Sequence, residues 1–97
     1  MTFAQLQTEN RRLYLLKTLK LSADYRMSDM LLQSALTALG YGASLAVIRG
    51  DIAWLEQQGL LSTEAVPGMT LAKLSNEGVD VADGVSHTPG IARPRPE

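Results

Sequence analysis

The sequence predicts a small, mainly helical α+β domain: three helices, then one short β-hairpin, then a closing helix. Three observations carry this. Apolar residues recur at helical spacing in three successive segments, each opened by a serine or threonine suited to cap a helix. Pro67-Gly68 separates two strand-compatible runs, as a hairpin turn would. A chain of 97 residues has material for one core and not for two.

Thr2 followed by Gln5 matches a capping box, so the first helix starts at Phe3 and continues to about Lys20. Phe3, Leu6, Leu13, Leu16 and Leu19 fall at near-helical spacing, and Leu15 widens the stripe. The polar stretch from Gln7 to Arg12 projects into solvent or meets a partner chain. Ser28 caps a second helix from Asp29 to Leu39, with Leu31, Leu32, Ala35, Leu36 and Leu39 expected inside. Gly40-Tyr41-Gly42 breaks it. Ser44 caps a third helix from Leu45 to about Gln58, whose Leu45, Ile48, Ile52 and Leu55 form one buried stripe ended by Gly59. Gly50, in the middle of that helix, marks either a close backbone approach or a weaker helix.

Leu60 to Val66 and Met69 to Leu74 read as the hairpin strands. Proline followed by glycine suits a type II turn, which fits a two-residue hairpin poorly, so a longer loop is expected. Ser75 caps a short helix through Ala82. The domain is thus expected over residues 1–84. Residues 85–97, which contain Pro89, Pro94 and Pro96, form a tail, disordered or laid across a surface with Ile91 as its anchor.

Composition excludes several functions. The chain has no cysteine, hence no disulfide framework, thiolate nucleophile or thiolate metal site. His87, in the tail, is the single histidine. No metal, cofactor or enzymatic activity is expected, because no acid or base sits in a pattern that builds a catalytic pair. The uncharged stretch from Met30 to Ile48 contains Gln33, Ser34, Thr37, Gly40, Gly42 and Ser44, which reads as two amphipathic helices and not a membrane span. The start of the chain lacks the pattern of a signal peptide, and a cytoplasmic location is expected. Net charge is −1, distributed as +3 over residues 1–50, −5 over 51–90 and +1 over the last seven residues.

Helices followed by a hairpin is the order of a winged helix-turn-helix domain. The run Asp51-Ile52-Ala53-Trp54-Leu55-Glu56-Gln57-Gln58-Gly59-Leu60-Leu61 resembles the junction of recognition helix and wing in MarR and ArsR regulators. Leu74 to Gly84 resembles their passage out of the wing. The chain as a whole is similar to a family of small proteins of Mu-like prophages. That likeness is carried by Arg11-Arg12, Gly40-Tyr41, Trp54-Leu55, Gly59-Leu60, Gly78 to Gly84 and Pro89-Gly90-Ile91-Ala92-Arg93-Pro94. It implies a phage origin and supplies no activity. Fold alone does not determine function.

Two functions are expected in competition. As a DNA-binding regulator, the protein would place Arg49 and Gln57 of the third helix against bases or phosphates, with Ser28 and Ser44 donating to phosphate at helix starts. Arg11 and Arg12 would assist, and a homodimer through the first helix would double the contacts with duplex DNA. Charge argues against this, because Asp51 and Glu56 outweigh Arg49 on the third helix. As a protein-interaction module, it would instead present Phe3, Leu6, Trp54 and Ile91 to a second copy or to another phage protein. Partial burial of Trp54 between the third helix and the wing is the simpler expectation for that residue.

Overall fold

In the computed structural model, which describes residues 1–95, four helices pack with a three-stranded antiparallel sheet around one core. Helix α1 spans Phe3–Leu21, strand β1 Arg26–Ser28, α2 Asp29–Ala38, α3 Leu45–Gln57, β2 Leu61–Val66, β3 Met69–Leu74 and α4 Asn76–Ala82. The last two tail residues, Pro96 and Glu97, lie outside the described residues.

The capping chemistry read from the sequence sets the helix starts. Thr2 Oγ1 accepts the Gln5 N–H at 3.1 Å, and Gln5 Oε1 accepts the Thr2 N–H at 2.8 Å. Ser28, Ser44 and Ser75 each accept the N–H three residues on. Helices α2 and α3 end alike. Gly40 and Gly59 adopt left-handed backbone, and the next residue, Tyr41 or Leu60, bonds back to the carbonyl of Leu36 or Leu55.

The sheet holds one strand more than the expected hairpin. After α1 a single 3-10 turn, Ala23–Tyr25, carries two consecutive left-handed residues, Asp24 at φ 58° and Tyr25 at φ 57°. That turn swings Arg26–Ser28 alongside β3, pairing Arg26 with Lys73, Met27 with Ala72 and Ser28 with Leu71. Strand β3 therefore lies in the centre, in the order β1-β3-β2. Three residues carry too little periodicity to announce a strand, and nothing in the local pattern announces left-handed backbone at a tyrosine.

The hairpin also differs from expectation. Val66 pairs with Met69, so Pro67-Gly68 is a two-residue turn, with Gly68 at φ 79° providing the left-handed position.

Leu13, Leu15, Leu16, Leu19, Leu32, Leu36, Ile48, Ile52 and Leu55 are buried, as the periodicity predicts. Six apolar residues assigned to the helical stripes are not: Ala35 and Leu45 are half-buried, and Phe3, Leu6, Leu31 and Leu39 are exposed. Phe3 and Leu6 lie in the first two turns of α1, beyond the reach of the core. Leu31 and Leu39 lie on the solvent side of α2.

Candidate interaction surfaces

Two carboxylates on helices are drawn inside, Asp51 against two arginines and Asp29 against one. Asp51 of α3 is 4% exposed and accepts Arg11 Nε at 2.5 Å and Arg12 Nε at 3.3 Å. The Arg12 guanidinium also donates to the Gly90 carbonyl at 3.1 Å and lies 3.9 Å above the Trp54 ring. Gly90, at φ 95°, permits this approach, since a Cβ there would come within 2.9 Å of the Trp54 ring. Ile91 is buried, and the Ala92 N–H donates to the Glu9 carbonyl. The middle of α1, α3 and the tail are thus joined at one cluster.

Asp29 opens α2 with its side chain fully buried. It accepts Arg49 Nε at 2.8 Å and the Met30 N–H at 2.8 Å. Burial pushes its pKa upward. The Arg49 hydrogen bond, the Met30 and Thr70 backbones and the Arg49 charge outweigh that, holding the carboxyl below its ordinary value.

These contacts place the predicted site residues. Arg11 and Arg12 face inward to Asp51, and are not a solvated basic face. Trp54 is partly buried against the core, and its ring meets Arg12 of α1 and Gly90 of the tail. Arg49 keeps about half of its side chain in solvent while bound to Asp29. Ser28 and Ser44 cap their helices, and Gln57 is exposed at the end of α3. Phe3 and Leu6 are exposed on α1, whereas Ile91 is buried inside its own chain.

The charge on α3 consequently differs from its residue count. Asp51 is internal and neutralised. Glu56 accepts the Thr63 N–H at 3.0 Å and the Thr63 hydroxyl at 2.9 Å, tying α3 to β2. The outward face of α3 comprises Ala46, Val47, Gly50, Ala53 and Gln57, flanked by Arg49. Residue counting could not find this, because direction on the helix depends on where α1 and the hairpin pack.

The sequence is 38% identical over 89 residues to the uncharacterized protein gp26 of Escherichia phage Mu, covering 92% of each chain. The chain belongs to the family of phage Mu gp26. The sequence is also similar to an uncharacterized protein of Haemophilus influenzae (strain ATCC 51907 / DSM 11121 / KW20 / Rd), 34% identical over 64 residues, covering 66% of this chain and 62% of that one. No protein-family model matches the sequence. Among the described residues, no helix is long and apolar enough to cross a membrane.

Proposed function

We propose that this gp26-family chain is a winged-helix protein that binds duplex DNA in a regulatory role, with α3 as the recognition helix and β2–β3 as the wing. The order α1-β1-α2-α3-β2-β3, with β1 beside β3, supports the fold reading. One observation carries the functional reading. The outward face of α3 has Arg49 at its edge, while Asp51 is buried against Arg11 and Arg12 and the Glu56 carboxylate, still exposed and charged, is bonded to Thr63 of β2. Small residues at 46, 50 and 53 let the helix backbone approach a groove closely. One cation gives a shallow electrostatic grip. A homodimer through α1 would double it, and the exposed Phe3 and Leu6 offer the apolar surface for such a contact.

Arg49→Ala is a poor test, since it leaves Asp29 buried without its cation. Ala53→Glu and Ala46→Lys change only exposed positions. In an anisotropy titration with mixed-sequence duplex, the first is expected to weaken binding and the second to strengthen it, each by about threefold to tenfold. Duplex binding indifferent to both substitutions would refute the proposal.

A second reading, a protein-docking module, is favoured by the exposure of Met30 (43%), Leu31 (55%) and Val47 (42%) at the starts of α2 and α3. It gains if the folded protein ignores duplex at low salt.

A further inference from the structure

The chain has nine lysines and arginines. Six of them lie within salt-bridge distance of a carboxylate: Arg11 and Arg12 at Asp51, Lys20 at Asp83, Arg26 and Lys73 at Asp24, and Arg49 at Asp29. The other three, Lys17, Arg93 and Arg95, have no carboxylate partner among the described residues. All three line one cleft of about 340 Å³ between the middle of α1, the α2–α3 turn and the tail.

Asn10, Tyr14 and Tyr41 complete the polar lining of this cleft. The two tyrosine rings stack at 4.8 Å with 19° between their planes, which braces α1 against the α2–α3 turn. Burial of Ile91 fixes the tail two residues before Arg93. Like charges gathered in one cleft repel each other, and a bound anion relieves that repulsion. Guanidinium groups present forked donors matched to phosphate oxygens.

A second hollow of about 420 Å³ shares Asn10, Tyr41 and Arg95 and continues toward Phe3 at the start of α1. The path from Lys17 to Phe3 covers fourteen helical steps, about 21 Å at ~1.5 Å each. That length suits a chain of phosphates better than a single ion. Tyr41, on the rim of both hollows, offers an aromatic ring of the kind on which bases stack.

We infer that the Lys17–Arg93–Arg95 cleft binds the phosphodiester backbone of a nucleic acid running along α1. This site is separate from the outward face of α3, and it stands whether or not α3 reads duplex.

The test titrates the intact protein with a labelled single strand of about 12 nucleotides and with the matching duplex. The triple variant Lys17→Gln, Arg93→Gln, Arg95→Gln is compared with the wild-type protein. The variant should lose about tenfold or more in affinity at about 50 mM salt, and the slope of log K against log salt should become shallower by about 2 to 3. Preference for the single strand or for the duplex tells which form the cleft accepts, and either supports the proposal. Unchanged affinity in the triple variant overturns it. So does polyglutamate competing as well as the oligonucleotide at equal charge, which would mark a cleft for acidic protein. Amide shift mapping on the wild-type protein guards against a misfolded variant: perturbations must centre on Lys17, Tyr41 and Arg93, and their absence there counts against the site. Ala53→Glu separates the two readings, since it touches duplex recognition by α3 and leaves the cleft intact.

Discussion

Gly78 shows how much one position depends on its neighbours. It lies inside α4, where glycine costs about 1 kcal/mol relative to alanine by propensity alone. A Cβ at this position would stand 2.1 Å from the Leu60 carbonyl oxygen and 2.6 Å from Leu74 Cδ1. The Leu60 carbonyl also accepts the Ser75 N–H, so it cannot move without losing the start of α4. Gly50 is the opposite case: a Cβ there meets nothing within 4 Å. Of the two explanations that the sequence allows for Gly50, the weaker helix is therefore the one that applies. In urea denaturation, Gly50→Ala is expected to raise stability by about 1 kcal/mol and Gly78→Ala to lower it by about 3 kcal/mol or more. Equal effects of the two substitutions would contradict this account.

At the scale of elements, the tail decides how α1 and α3 are held together. Its composition is that of an irregular segment, yet Ile91 is 2% exposed and Gly90 lies between Trp54 and Arg12. The polar middle of α1 is accounted for in the same way, since Arg11 and Arg12 are satisfied by Asp51 and the Glu9 carbonyl by Ala92. Ile91→Ala is expected to cost about 2–4 kcal/mol of folding stability. Truncation after Ser86 should cost at least as much, because it also removes the Gly90 and Ala92 bonds. Thermal melts of both variants test this, and a tail that could be removed without lowering the midpoint would be merely resting on the surface. Ile91 was legible in the sequence as the best anchor of the segment. The partners of its neighbours Gly90 and Ala92 were not, because they come from residues 9, 12 and 54, far away in the chain.

For the whole molecule, the pairing of buried Asp29 with half-exposed Arg49 makes stability depend on pH. The Asp29 carboxyl is held below its ordinary value of 3.8, so the unfolded chain takes up the proton more readily than the folded one. Its contribution is present in full above about pH 5, and is lost as pH falls past about 4 and through the depressed folded value. The stability gap between the wild-type protein and Asp29→Asn should therefore narrow on acidification across that range. A gap that stays constant down to about pH 2 would show that the folded-state carboxyl titrates normally. Because Arg49 is half in solvent, the effect is smaller than for a fully enclosed pair.

The local framework was already legible in short-range sequence signals. Thr2, Ser28, Ser44 and Ser75 set four helix starts, Gly40 and Gly59 set two ends, and the leucine and isoleucine periods named most of the core. Capping bonds and helical periodicity act over three or four residues, so they can be read without knowing what lies opposite. The mainly helical α+β domain with its hairpin, expected from those signals, is the one observed, with β1 added. Where charge acts follows instead from long-range packing. Asp51 went from a surface acid to the centre of two arginines, and Asp29 from a helix-start charge to a buried partner of Arg49. Among the described residues, Lys17, Arg93 and Arg95 have no carboxylate partner and share one cleft. A charge is paired or free according to what the fold brings within a few ångströms of it, and those neighbours are distant in the chain.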